Sequence, residues 1–401
     1  MGKKIDILAT PLDKKHFSGG IWCVMEYALG LARAGHDVRV VPMAPSPRPA
    51  WVPEQAGLSF VVDETGNRAR YVQAGLAFLK DALAALLRLK PGLLAEAFVR
   101  FATTVFLPLR GRLPFEFQRA AVLKYQRDHA READIVLATF YETAAAAALY
   151  PAARRLYFCQ HLEPLFYKEM HGGELSRLEA EASYGLGLEL VANSSWLKGQ
   201  LAARGHGAEL CCNAINHEFF TPGPALPEVA GEVILISYGG RQVDWKGFAE
   251  MAEAVALARR ECPEINIRWR VYGSASLPAD NAVAPYEALG FLQPRQLGDA
   301  YRAAQVLLSA SWYESFPLFP LEAMACGLAT ITTQPGTEDF ARHLDTAYVV
   351  EPKNPRSVAD GIIALARDAG LRQRIAQAGL LEARRFTWEA SVRRMIEIVG
   401  D

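Results

Sequence analysis

A chain of 401 residues exceeds what a single hydrophobic core usually organises, so two domains of roughly 150 to 200 residues each are expected. Half of the residues are apolar (51%), which suits a globular interior, and a formal net charge of −1 excludes a globally basic nucleic-acid binder. The six cysteines form no C-x-x-C pair and read as reduced, mostly buried thiols of a cytosolic protein; no apolar run reaches the roughly 20 residues that cross a bilayer, and the opening M-G-K-K-I-D-I-L-A-T lacks the apolar core of a signal peptide.

Ile5 to Thr10 reads as a first buried strand. Phe17-Ser18-Gly19-Gly20 follows, then an apolar-periodic helix over Ile21 to Ala34 that Gly35 closes, then a second strand over Val38 to Pro42. A strand, helix, strand opening of this kind means a parallel sheet. The loop lacks G-x-G-x-x-G, which counts against a dinucleotide fingerprint. Gly19 and Gly20 either permit a turn or let the backbone approach a ligand. The proline-rich residues 45 to 60 read as loop.

From Arg68 to Arg131 the chain changes character. Apolar helical runs over Leu76 to Leu89, Leu93 to Phe106 and Phe115 to Tyr125 carry twelve lysines and arginines against four acids. Such a segment is either a set of helices with basic solvated faces or a surface that docks on anionic lipid. Strands are expected over Asp134 to Thr139 and over Arg155 to Cys159. The second ends in Gln160-His161-Leu162-Glu163-Pro164, which places His161 and Glu163 at the carboxyl end of a strand, where open parallel sheets put their ligands. After a helix over Glu174 to Tyr184 and a strand over Leu188 to Ala192, a helix over Ser194 to Arg204 has Asn193 as its expected cap. Pro222, Pro224 and Pro227 then mark a linker.

The second half restarts the pattern. Val233 to Tyr238 is a strand, Gly239-Gly240-Arg241 a turn, and Lys246-Gly247 the entrance to an amphipathic helix over Phe248 to Arg260. Arg241 and Lys246 share one loop and suit an anion bound at the following helix start. A strand over Ile267 to Val271, the segment Leu289-Gly290-Phe291-Leu292 and a helix over Gln296 to Ala304 come next. Then S-A-S-W-Y-E-S-F-P-L-F-P-L-E-A-M-A-C-G, Ser309 to Gly327, sets Glu314 and Glu322 eight positions apart. Pro317 argues against a helix reaching back to Glu314, and Pro320 suits a first helical turn, so Glu322 is expected in that turn and Glu314 in the loop before it. The backbone from Ser315 to Phe319 would be a seat for a phosphate or sugar oxygen. A strand over Ala329 to Thr332 and helices over Ser357 to Ala369 and Leu371 to Arg384 lead to F-T-W-E-A-S-V-R-R-M-I-E-I-V.

The stretch Y-E-S-F-P-L-F-P-L-E-A-M-A-C-G resembles the E-x-x-x-x-x-x-x-E signature of retaining glycosyltransferases of family 4, and G-G-R-x-x-x-x-K-G resembles that family's diphosphate-binding element. The family often has Gly where this chain has Ser315 and Pro317. C-C-N-A-I-N-H-E-F-F-T-P is similar to the segment with which the family leaves its first domain, with Ala214 and Asn216 as departures. The resemblance implies the GT-B fold: two Rossmann-like α/β domains with parallel sheets facing a central cleft and a C-terminal helix crossing back to the first. The expected domains are residues 1–221 on the acceptor side, including the basic helical region at 68–131, residues 222–385 binding the nucleotide-sugar, and the crossing helix at 386–401.

It also implies transfer of a sugar, with retention, from a nucleoside-diphosphate sugar co-substrate to an acceptor hydroxyl of a glycan or lipid-linked acceptor, as in cell-surface polysaccharide or glycolipid synthesis. The catalytic set is then Glu314, His161, Arg241 and Lys246. Donor contacts come from Gly19, Gly20, Glu163, Gly240, Phe291, Leu292, Ser315, Phe316, Pro317, Leu318 and Glu322, with Glu322 on the ribose, Glu314 on the sugar and the 289–292 backbone near the base. No cofactor and no metal are expected, there being no D-x-D in the chain, and no nucleic-acid partner. The expected location is cytoplasmic, with peripheral contact to the inner face of the cell membrane through residues 68–131 as a further expectation. Paired carboxylates also serve glycosidases. A nucleotide-sugar epimerase or hydrolase on the same fold, and a non-catalytic nucleotide-sugar-binding or membrane-scaffolding protein, are the alternatives.

Overall fold

The computed structural model describes residues 2–63, 75–84, 92–95, 97–98, 101, 115–168, 173–224, 231–239, 243–273 and 283–400. The chain divides into two compact units: Met1–Ala192 with Leu201–Glu209 and Met395–Asp401, and Asn193–Gln200 with Leu210–Arg394.

The first unit is built on a seven-stranded sheet of β1 (Lys4–Ala9), β2 (Asp37–Pro42), β3 (Leu58–Phe60), β4 (Ala133–Ala138), β5 (Ala152–Cys159), β6 (Glu189–Ala192) and β7 (Ala208–Leu210), in the order β3-β2-β1-β4-β5-β6-β7. Every pairing from β3 to β6 is parallel. Ile5, Ile7, Leu8 and Ala9 of β1 are fully buried, and so is Asp6 between them. A buried carboxylate needs partners. Asp6 has the Arg39 guanidinium at 2.5 Å, Arg131 Nε at 2.8 Å and the Tyr150 hydroxyl. β3 lies inside the stretch read from sequence as loop, because Leu58-Ser59-Phe60 is too short to carry an alternating pattern.

The second unit repeats the topology with β8 (Glu232–Tyr238), β9 (Asn266–Tyr272), β10 (Glu287–Gly290), β11 (Val306–Leu308), β12 (Ala329–Thr333) and β13 (Tyr348–Val350), in the order β10-β9-β8-β11-β12-β13, all parallel. Side chains alternate across this sheet. Val233 and Leu235 of β8, Trp269 of β9 and Val306 and Leu308 of β11 enter one core with the helix Phe248–Glu261, whereas Ile236, Tyr272 and Leu307 enter a second core with the helix Leu318–Ala325. Apolar strands with helices on both faces make a doubly wound sheet.

The closing helix, Trp388–Val399, contributes to both units, which divide at Arg394 and Met395. Its last carbonyls, unpaired within any helix, are met by cations of the first unit. Lys3 Nζ donates to Val399 O at 3.1 Å, and the Arg154 guanidinium donates to Val399 O at 2.7 Å and Ile398 O at 3.0 Å.

Candidate active site

In the second unit the order of strands reverses direction between β8 and β11, and their carboxyl ends are where such sheets form a crevice. After β8, a short 3-10 turn over Asp244–Lys246 ends in Gly247, which holds the left-handed conformation (φ 67°) and whose missing side chain would lie 2.0 Å from Ala310 O. No other residue fits there, and the close approach clamps the Lys246 turn onto the loop that follows β11. Trp312 N donates to Trp245 O at 2.7 Å, and the Trp245 and Tyr313 rings stack at 6.1 Å.

This clamp brings Lys246 and Glu314 together. Lys246 Nζ donates to Glu314 Oε1, and Ser311 Oγ donates to the same oxygen at 3.2 Å. Glu314 is held from behind by Gly336 (φ 89°), where a Cβ would stand 2.3 Å from Glu314 O, and by its own N–H donating to Pro335 O at 3.2 Å. Lys246, Glu314 and Ser311 line a small pocket with Tyr238, Pro317 and Phe319. Tyr238 and Phe319 pack their rings 4.5 Å apart beside it.

The helix Leu318–Ala325 begins one residue after Pro317, whose extended backbone (φ −69°, ψ 123°) forms its N-cap. Glu322 is therefore in the second turn, which corrects its expected place in the first, whereas Pro320 does lie in the first turn, at the third helical position. With no N–H on Pro320, only Leu318 and Phe319 of the first three helical positions have an amide proton to offer. Glu322 is 8% exposed and its Oε2 has no hydrogen-bond partner among the described residues. Burial pushes its carboxyl up to about 8. Nearby, the buried Tyr272 and Tyr301 hydroxyls pair at 2.7 Å, and both phenols are raised, by burial first and with Glu322 contributing.

The other expected donor contacts of this unit fall into two groups. Ser315 and Phe316 face inward. Ser315 Oγ donates to Asn193 Oδ1 and lies 3.4 Å from Ser194 Oγ, while Phe316 packs on Phe340 and Phe386, each at 5.6 Å. Their side chains support the loop, which leaves backbone groups for any ligand. The expected cap of the helix Ser195–Ala202 is corrected by the same contacts. Asn193 is engaged by Ser315, and Ser194 Oγ accepts from Leu197 N at 3.0 Å instead. Leu318 and Leu292 are half-buried against the core, and Phe291, on the loop after β10, is exposed. Gly240 and Arg241 lie outside the described residues.

In the first unit, Gly19 and Gly20 open the helix Gly19–Arg33, capped by Ser18 Oγ accepting from Ile21 N at 3.3 Å. A side chain at Gly20 would sit 3.2 Å from Gln160 Oε1, so this glycine sets the approach of the helix to the carboxyl end of β5. His161 follows Gln160, with its ring 4.3 Å from Phe166 and its carbonyl accepting from Tyr184 OH at 3.4 Å. Glu163 is 1% exposed. Its Oε2 accepts from Tyr141 N at 2.7 Å, at the start of the helix Tyr141–Ala148, and from Tyr157 OH at 2.9 Å; burial raises its carboxyl to about 8 against those two bonds.

Sequence reasoning passed over Ser311, Asn193 and Gly336 as parts of the site. Gly336 stands in Gln334-Pro335-Gly336, a turn signal that could have been followed up; Ser311 and Asn193 carry no local signal.

Two doubly wound parallel units, with a lysine and a glutamate at the switch-point loops of the second, define the GT-B architecture. Residues 233–368 match the family model described as glycosyl transferases group 1. Among curated proteins, the chain is 29% identical over 280 residues to the O-antigen biosynthesis protein RfbC of Myxococcus xanthus, a match over 66% of this chain and 20% of that protein. It is 29% identical over 180 residues to a D-inositol 3-phosphate glycosyltransferase of Corynebacterium glutamicum, 42% of this chain and 43% of the relative. The chain thus spans less than half of these relatives' length. Among solved structures, HepE of Anabaena in complex with UDP-glucose aligns over 99% of both chains with a TM-score of 0.64 at 15% identity, a likeness of fold.

Proposed function

We propose that this chain is a retaining glycosyltransferase of family 4, which moves a hexosyl or deoxyhexosyl group from a nucleoside-diphosphate sugar to an acceptor hydroxyl in the synthesis of a surface polysaccharide or glycolipid. The observation that carries this reading is the convergence of Lys246 and Glu314 at the switch-point loops, a cation for the diphosphate and a carboxylate for the sugar in one pocket. The match of the same residues to the glycosyl transferases group 1 model and the similarity to RfbC, an O-antigen biosynthesis protein, support it.

In this reading the bond from the anomeric carbon to the diphosphate oxygen breaks, the acceptor oxygen bonds to the same face of that carbon, and the acceptor hydroxyl's proton passes to the departing diphosphate. Negative charge grows on the departing oxygen. Lys246 and Arg241 stabilise it, preorganised groups of this kind being worth about 3 kcal/mol each. Glu322, buried and with one oxygen lacking a partner among the described residues, takes the ribose hydroxyls, whose O–H groups donate to it. Glu314 orients the sugar once the phosphates engage Lys246, and backbone groups between Ser315 and Leu318 and near Phe291 and Leu292 hold the rest of the donor. On the acceptor side, His161 contacts the sugar, Gly19 and Gly20 let a ligand approach the backbone, and Glu163 positions the His161 turn.

A thermal-shift screen of nucleoside-diphosphate sugars tests the donor site, since a ligand at 100 times its dissociation constant adds about 2.7 kcal/mol. Product analysis by NMR then reads the anomeric configuration. Absence of any shift sinks the donor assignment, inversion sinks the retaining class, and binding without transfer or hydrolysis leaves the non-catalytic alternative.

A further inference from the structure

Three large aromatic side chains come together on the loops of the first unit. Phe17 lies between β1 and the helix Gly19–Arg33, Trp22 near the start of that helix, and Trp51 in the segment between β2 and β3. The Phe17 ring is 5.0 Å from that of Trp22 and 4.7 Å from that of Trp51, and the two indoles stack at 5.6 Å with 16° between their planes. Hydrogen bonds clip the loops together, Ala50 N donating to Lys14 O at 3.0 Å and Leu12 N to Ser46 Oγ at 3.1 Å. Both loops leave the carboxyl ends of parallel strands, where such sheets bind ligands. The helix that carries Trp22 meets Gln160, next to His161, through Gly20. The rings thus share one end of the sheet with the proposed sugar contact.

Packing alone does not account for this cluster. All three rings are only half-buried. The Trp51 Nε1–H is buried with no hydrogen-bond partner among the described residues, a cost that leucine or phenylalanine would avoid. The rim is polar. Lys14, Lys15 and His16 are exposed, in a turn held by Asp13 Oδ1, which accepts from Lys15 N at 2.8 Å and from His16 N at 2.7 Å. An aromatic floor inside a polar rim fits a sugar ring. A pyranose presents a face of C–H groups, drawn to the electron-rich face of an aromatic ring, and hydroxyls around its edge that need polar neighbours. A lipid chain has no use for that rim, and a planar base finds no slot between two indoles that already stack.

We infer that Phe17, Trp22 and Trp51 form a stacking subsite for a sugar ring of a glycan acceptor, so that the acceptor is an oligosaccharide or a longer glycan rather than a bare lipid carrier. The role as acceptor rests on the transferase reading, whereas the binding of a glycan by these rings does not.

The test is saturation-transfer NMR of the full chain with tetrasaccharides of glucose, of N-acetylglucosamine and of galacturonate, and with decyl phosphate as a lipid-like probe. At least one tetrasaccharide is expected to bind, with saturation strongest on the ring C–H protons of one sugar. Trp22→Ala and Phe17→Leu should each weaken that binding by about three- to tenfold. Trp51→Leu should do the same, and Trp51→Phe, which keeps a ring, should restore most of it. Phe17→Leu preserves apolar volume, and an unchanged melting temperature shows that it folds. Absence of binding by every tetrasaccharide at millimolar concentration overturns the inference. So does unchanged affinity in folded Phe17→Leu and Trp22→Ala, or decyl phosphate bound in place of every glycan. If a tetrasaccharide binds as stated while no nucleotide-sugar shifts the melting temperature, the donor assignment falls and the glycan subsite stands. If nucleotide-sugars bind and no tetrasaccharide does, the subsite falls alone.

Discussion

Lys246 Nζ donates to Glu314 Oε1 across two loops that leave adjacent strands of one sheet, and both side chains retain some exposure, 19% and 13%. In the proposed donor site the diphosphate and sugar would compete with this ion pair for Lys246 and Glu314.

Replacing Glu314 with Gln therefore should have opposite effects on binding and turnover. Freed of the carboxylate, Lys246 should hold a nucleoside diphosphate several-fold more tightly by calorimetry, while transfer falls because the sugar loses its charged contact. Lys246→Ala should lower kcat by about 10²- to 10³-fold. It should also lower stability by about 1 to 3 kcal/mol, less than for a fully buried pair because Glu314 keeps Ser311 and some water. Equal nucleotide affinity in wild type and Glu314→Gln would remove the competition argument.

Glu322 predicts a pH dependence of donor binding. Its carboxyl is raised to about 8 by burial, so near neutrality it is largely protonated, whereas ribose hydroxyls favour the anion as acceptor. Donor affinity should rise as pH increases from 6 toward about 8 and level off above it. Glu322→Gln should bind more weakly at high pH and lose that slope. An affinity that falls with pH in the wild type would contradict the assignment.

Gly247 and Gly336 hold the loops that form the pocket without lining it. A methyl at either would lie against backbone, 2.0 Å from Ala310 O or 2.3 Å from Glu314 O, and both sit at positive φ. Gly247→Ala and Gly336→Ala should each cost on the order of 1 to 3 kcal/mol in urea unfolding, and each should weaken donor binding by displacing the loop that carries Glu314. Gly199→Ala, where nothing lies within 4 Å of the added carbon and the backbone is helical, is the control expected to be neutral or slightly stabilising.

The strands that read clearly in the sequence were those with continuous apolar runs, such as Ile5 to Thr10 and Val233 to Tyr238, because a strand buried on both faces has little choice of residue. The three-residue strands β3, β7 and β13 did not read, since pairing with a neighbour decides them rather than their own composition. The glutamate spacing and the prolines located Glu314 in a loop correctly, and they misplaced Glu322 by a turn because Pro317 caps a helix that Pro320 alone would have started later. What the sequence had no means of conveying was reach. Asn193 meets Ser315 across 122 positions and Lys246 meets Glu314 across 68; the second pair follows from the winding of one sheet, and the first joins residues that follow strands of different sheets.

Glu163 offers a stability test that separates a positioning acid from one that meets a ligand. Its carboxyl lies at about 8 in the folded protein against about 4.5 in the unfolded chain. Between those values the folded state binds the extra proton, so this group's contribution to stability is full below about 4.5, declines as pH rises, and is gone above about 8. Glu322 acts in the same window. Glu163→Gln keeps an acceptor for Tyr141 N and Tyr157 OH and does not ionise. It should flatten part of the decline in melting temperature between pH 5 and 8 and exceed the wild type at pH 8. Glu163→Ala leaves both donors without their acceptor and should destabilise by about 1 to 3 kcal/mol at every pH. If Glu163→Gln instead melts in parallel with the wild type across this range, the acid is ionised in the fold and the burial argument fails.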